Sequence, residues 1–128
     1  MEPSFPKLFT VDEANALLPT LNRFLQDVAR HRYSSRKKAT YMEPILRAAG
    51  ANGGGRAGSE YSVEAYNLYL AVERIRELGI ILKDLDIGLL DFPHERDGRV
   101  VFLCWHPPEE RVAFWHEIEA GYAGRQPL

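Results

Sequence analysis

The stretch from Lys83 to His116, KDLDIGLLDFPHERDGRVVFLCWHPPEERVAFWH, holds the chain's one cysteine, both tryptophans and three of its four histidines. Carboxylate, thiolate and imidazole are the ligand types that suit zinc or a neighbouring transition metal. Asp91, Cys104, His106 and His116 are therefore the candidate metal ligands. Three of them depend on a single turn. Asp97-Gly98 is a strong two-residue hairpin signal, and a two-residue turn there sets Arg96 opposite Arg99, Asp91 opposite Cys104 and Leu89 opposite His106. Alternate residues of a strand share a face, so Asp91, Cys104 and His106 would converge. A one-residue slip near Pro93 would move Asp91 to the Trp105 face and scatter them.

The spacing matches no standard ligand motif, neither a paired CxxC nor HExxH. The competing structural reading makes Cys104 a small buried hydrophobe, His106 a surface or capping residue and His116 a hydrogen-bonded boundary residue. A Cys104 and His106 nucleophilic pair is a further reading, disfavoured because activated cysteines sit at helix N-termini or in cationic pockets. Asp91 with Glu109 would serve as acid and base only if burial shifted one of them. The remaining acids around the hairpin, Asp84, Asp86, Glu95 and Asp97, read as turn-forming or solvated.

The elements that must position these residues begin with a clear helix start. Thr10 and Glu13 have the spacing of a capping box, and Phe9 with Ala14 that of a hydrophobic staple. Pro19 lacks an N–H and crowds the preceding turn, so the sequence predicts a short helix to about Leu18 and a new one beginning at Pro19, with a kinked single helix as the alternative. From Leu18 a 3,4 spacing picks out Leu21, Leu25 and Val28, breaks at Arg32 and Ser35, and resumes at Ala39, Met42, Leu46 and Ala49. Gly50 to Gly58 reads as a flexible connector, and it lacks the Lys and Ser or Thr of a phosphate loop. Ser59 is a candidate cap for a second helix ending before Gly79, with a seam of Ala65, Leu68, Val72 and Ile75. Two seamed helices joined this way form an antiparallel hairpin, with Arg30 near Leu78.

After Gly79 come short apolar runs at Ile80 to Lys83, Ile87 to Phe92 and Arg99 to Trp105, which predict a small antiparallel sheet. Pro108, Glu109 and Glu110 suit a first helical turn, so a third helix is expected from Pro108 to about Ala120, stopped by Gly121. Trp115, Ile118 and Tyr122 would form its docking face. The expected fold is α+β, one domain over residues 1–128: a long helical hairpin over about 11–78, then a β-hairpin and a C-terminal helix over about 80–120.

Composition sets the outer limits. The chain has 128 residues, 45% hydrophobic and 27% charged, which suits one ordinary globular domain. Its net charge of −2 gives no global field toward nucleic acid or an anionic membrane. The basic run Arg30, Arg32, Arg36, Lys37 and Lys38 is read as a solvated face, and no nucleic-acid partner is expected. No apolar run reaches the length of a membrane span, and the N-terminus lacks a signal-peptide layout. A lone cysteine fits a reducing compartment, so a cytoplasmic location is expected.

The runs FTVDEANALLPTL, GLLDFP, DGRVVFLCW and WHEIEAGYAGR, spread over about the first 25 and last 47 residues, resemble the small bacterial proteins grouped as domain of unknown function 2203. The resemblance implies a bacterial source and a compact soluble domain. It brings no assigned activity, so no catalytic residue carries over. The leading functional expectation is a non-enzymatic interaction or regulatory module that self-associates through the helical hairpin. The rival is a metal-binding protein or small metal-dependent enzyme centred on Asp91, Cys104, His106 and His116, with a divalent transition metal such as zinc as the ion.

Overall fold

A computed structural model of the chain describes the backbone of residues 4–49 and 55–128, and side chains outside 38–61. Among the described residues the elements are two α-helices, α1 (Val11–Ala49) and α2 (Gly55–Glu77), followed by five strands. These are β1 (Ile81–Asp84), β2 (Leu89–Arg96), β3 (Arg99–Trp105), β4 (Phe114–His116) and β5 (Gln126–Pro127). The strands form one sheet in the order β1-β2-β3-β4-β5, and every neighbouring pair is antiparallel. The architecture is α+β. No described helix is long and apolar enough to cross a membrane.

The chain divides into two compact units, Met1–Arg23 with Arg74–Leu128, and Phe24–Glu73. Both boundaries fall inside helices. The first unit contains the sheet, and its core includes Phe9, Ala14, Leu18, Leu21, Ile75, Ile80, Leu90, Phe92, Leu103 and Trp105. In the second, Leu25, Val28 and Ala71 are buried, and His31 Nδ1 on α1 lies 3.3 Å from the Glu64 carboxylate on α2.

The capping box forms as its spacing predicts: Glu13 N–H donates to Thr10 Oγ1 at 3.0 Å, and Thr10 N–H donates to Glu13 Oε1 at 2.9 Å. Phe9 and Ala14, the two staple positions, are both buried. The helix does not restart at Pro19. It runs unbroken through that residue, leaving the Asn15 carbonyl without its helical donor. Pro19 itself is exposed.

The upper seam of α1, from Ala39 to Ala49, and the Ser59 cap lie outside the described side chains. Of the expected Gly50 to Gly58 connector, residues 55–58 are already helical. At the other end α2 stops where expected. Gly79 takes φ 87°, and its N–H donates to the Arg76 carbonyl at 2.9 Å, the left-handed exit that glycine makes without strain.

The expected C-terminal helix is not there. Residues 114–116 are β4, residues 122–124 make one 3-10 turn, and the tail returns as β5. With β2 on one side of β3, the other edge of β3 carries unpaired backbone groups that β4 satisfies. The segment VAFWH is β-branched and aromatic, which suits that edge better than a helix. Trp115 consequently packs opposite Leu103, while Tyr122 stays exposed.

Candidate functional site

The turn at Asp97-Gly98 fixes everything on this sheet. Asp97 has φ 52° and Gly98 φ 76°, the doubly left-handed geometry of a two-residue hairpin turn. The register that follows is Arg96 to Arg99, Pro93 to Phe102 and Asp91 to Cys104, without the feared slip. Counting from the turn, Asp91 and Cys104 occupy a non-hydrogen-bonded position, where opposed side chains approach most closely.

Pro93 does not interrupt the ladder. Its carbonyl accepts from Phe9 N–H at 2.6 Å, so its backbone faces away from β3, on the side where β1 has already ended. The N-terminal segment wraps this edge, with Phe5 against Phe102 on one face and Phe9 against Phe92 on the other.

His116 reaches the same face from β4, opposite Phe102 and next to Cys104. Asp91, Cys104 and His116 are brought together: one ligand atom from each lies within 4.8 Å of the others. All three are buried, at 1%, 0% and 1% exposure. His116 Nδ1 donates to the Glu117 carbonyl at 2.7 Å, which turns Nε2 toward Asp91 Oδ1 at 3.0 Å. With Nδ1 committed as a donor, the Nε2 contact holds one proton, whichever partner carries it, and the pair has no net charge. Burial raises the Asp91 pKa, against the opposing pull of His116 and Lys83. Burial also pushes the Cys104 thiol up to about 12, helped by the neighbouring Asp91 charge.

His106 is not part of this group. Strand β3 ends at Trp105, so pairing stops at Leu90 with Trp105, and Leu89 instead pairs with Asp84 of β1. The His106 ring turns to its own surroundings, with Nδ1 2.8 Å from the Pro107 carbonyl and Nε2 3.4 Å from the Tyr122 hydroxyl. The Cys104 and His106 nucleophilic pair therefore does not form, and a thiol held near 12 is no nucleophile.

Glu109 likewise has another task. Its carboxylate accepts from His106 N–H at 2.9 Å and from Arg125 at 2.8 Å, while its carbonyl accepts from Trp105 Nε1 at 2.8 Å. Arg125 also donates to the Cys104 carbonyl and lies 4.1 Å from the Phe114 ring centroid. This clamp ties the tail to the end of β3. Nothing in the periodicity of the tail marked Arg125. Of the acids around the hairpin, Asp84 is turn-forming, its Oδ1 accepting from Asp86 N–H at 2.8 Å.

Residues 7–128 match the family described as uncharacterized conserved protein (DUF2203). The chain belongs to this family. The match runs through the middle of this DUF2203 chain, where the recognisable motifs are absent, as well as through both ends. No curated protein and no solved structure matches it.

Proposed function

We propose that this DUF2203 chain is a non-enzymatic module that binds a second copy of itself through α1 and α2, paired as an antiparallel helical arm. The observation that carries the reading is a second apolar stripe on α2. Its expected seam is Ala65, Leu68, Val72 and Ile75, yet Val63, Tyr66, Tyr69 and Leu70 are also apolar and stand 57%, 60%, 56% and 42% exposed. A helix that is apolar on two sides is one that packs on two sides. Tyr66 and Tyr69 stack with ring centroids 6.2 Å apart, giving a preformed aromatic surface of low entropic cost.

Charge favours a second copy as the occupant. Residues 28–42 of α1 carry five Lys or Arg and no acid, while residues 60–77 of α2 carry Glu60, Glu64, Glu73 and Glu77 against Arg74 and Arg76. Within one arm His31 already faces Glu64, and two arms laid together by a two-fold axis would extend the same pairing of basic run with acids across the copies. Light scattering at tens of micromolar is expected to give twice the chain mass, and Tyr66→Lys, which places a charge in the stripe, is expected to return the monomer. A wild-type chain that scatters as monomer alone would remove the reading.

A further inference from the structure

We propose that Asp91, Cys104 and His116 bind one divalent transition-metal ion of the zinc class, which staples β4 to the β2-β3 hairpin. The inference does not depend on how the chain associates. It rests first on donor chemistry. Carboxylate, thiolate and imidazole together favour zinc or cobalt over magnesium or calcium, which take oxygen. Two anionic ligands would also neutralise a dication inside a site that is 0–1% exposed.

The second support is spacing. Ligand bonds of about 2.0–2.3 Å in a tetrahedron set donor atoms roughly 3.3–3.7 Å apart. The three donor atoms lie within 4.8 Å of one another, and Asp91 Oδ1 is 3.0 Å from His116 Nε2, so the widest pair would close by about 1 Å, shared between two side chains.

The third is the orientation of His116. A ligating histidine commonly donates its other ring N–H to a carbonyl, fixing the tautomer that offers a lone pair to the metal. His116 Nδ1 does this with the Glu117 carbonyl. The ion would take the place of two protons, that of the thiol and that held between Asp91 and His116. The three ligands come from β2, β3 and β4, and β4 is three residues long, so the bond from His116 would hold it against both strands of the hairpin, with the fourth position of the tetrahedron taken by a water or another exogenous ligand.

The test uses Co²⁺ as the spectroscopic probe, added to chelator-treated full-length protein both in the native state and during refolding, when a sealed site is open. One equivalent is expected to bind, with a thiolate-to-cobalt charge-transfer band and displacement by Zn²⁺. Cys104→Ser should abolish that band and weaken binding by about tenfold or more, and Asp91→Asn, which preserves size, should weaken it similarly. His31→Gln should change nothing. Folded protein that takes up no cobalt by either route would overturn the proposal, leaving a hydrogen-bonded polar cluster. So would cobalt uptake unaffected by both Cys104→Ser and Asp91→Asn.

Discussion

A carboxylate withdrawn from water costs free energy unless its charge is met, and Asp91 and Glu109 of this sheet meet it differently. Asp91 shares a proton with His116, so the pair stays neutral under the strands. Glu109 keeps its charge, because Arg125 is bound to both of its oxygens at 2.8 Å and the pair lies at the rim, 21% and 12% exposed. Burial pushes the Glu109 pKa up, but the Arg125 and His106 hydrogen bonds outweigh it and hold it below its ordinary 4.5. A depressed folded pKa means that the stabilisation is complete above the unfolded value and is lost as pH falls through the folded one. Glu109→Gln is accordingly expected to cost about 2 kcal/mol at neutral pH, with the difference from wild type closing below pH 4.5 in urea denaturation. Asp91 has the opposite sign. Its raised pKa adds a cost as pH climbs above 3.8, so the two groups partly offset one another in an acid titration.

Among the elements, the β2-β3 turn and the α1 interior each depend on one backbone conformation. Gly98 sits at φ 76°, and a Cβ there would meet nothing within 4 Å, so any penalty for a side chain is backbone strain alone. Gly98→Ala is expected to destabilise by about 1–2 kcal/mol in chemical denaturation, without altering the sheet. A loss well above that would mean the register itself had slipped. Pro19 poses the reverse case. A proline in a helix interior is about 3 kcal/mol worse than alanine, of which roughly 1 kcal/mol is returned through its stiffening of the unfolded chain. Pro19→Ala should therefore stabilise by about 1–2 kcal/mol, read as a raised midpoint in urea. The turn was legible because Asp-Gly has few alternatives to a type I′ turn. The continuity of α1 was not, since proline preference argues for a break and only the capping box and buried positions on either side outweigh it.

For the molecule as a whole, association links folding to concentration. If the arm binds a second copy, the wild-type Tm should rise by a few degrees between about 1 and 100 μM protein, and the Tyr66→Lys Tm should not. Family membership over residues 7–128 was recognisable from motifs at the two ends. The start of α1, the end of α2, the hairpin register and the pairing of Asp91 with Cys104 were also determined by sequence, because capping, glycine conformation and strand alternation are local rules. The segment after Pro108 was decided by tertiary structure. Its 3,4 apolar spacing suits a helix, but the open edge of β3 offers backbone hydrogen bonds that an isolated helix could not better. That same pairing brought His116 to the cluster from a strand rather than a helix, released His106 to the rim, and drew Arg125 out of a featureless tail. Edges and rims are formed by residues distant in sequence, and no local pattern records which of them will meet.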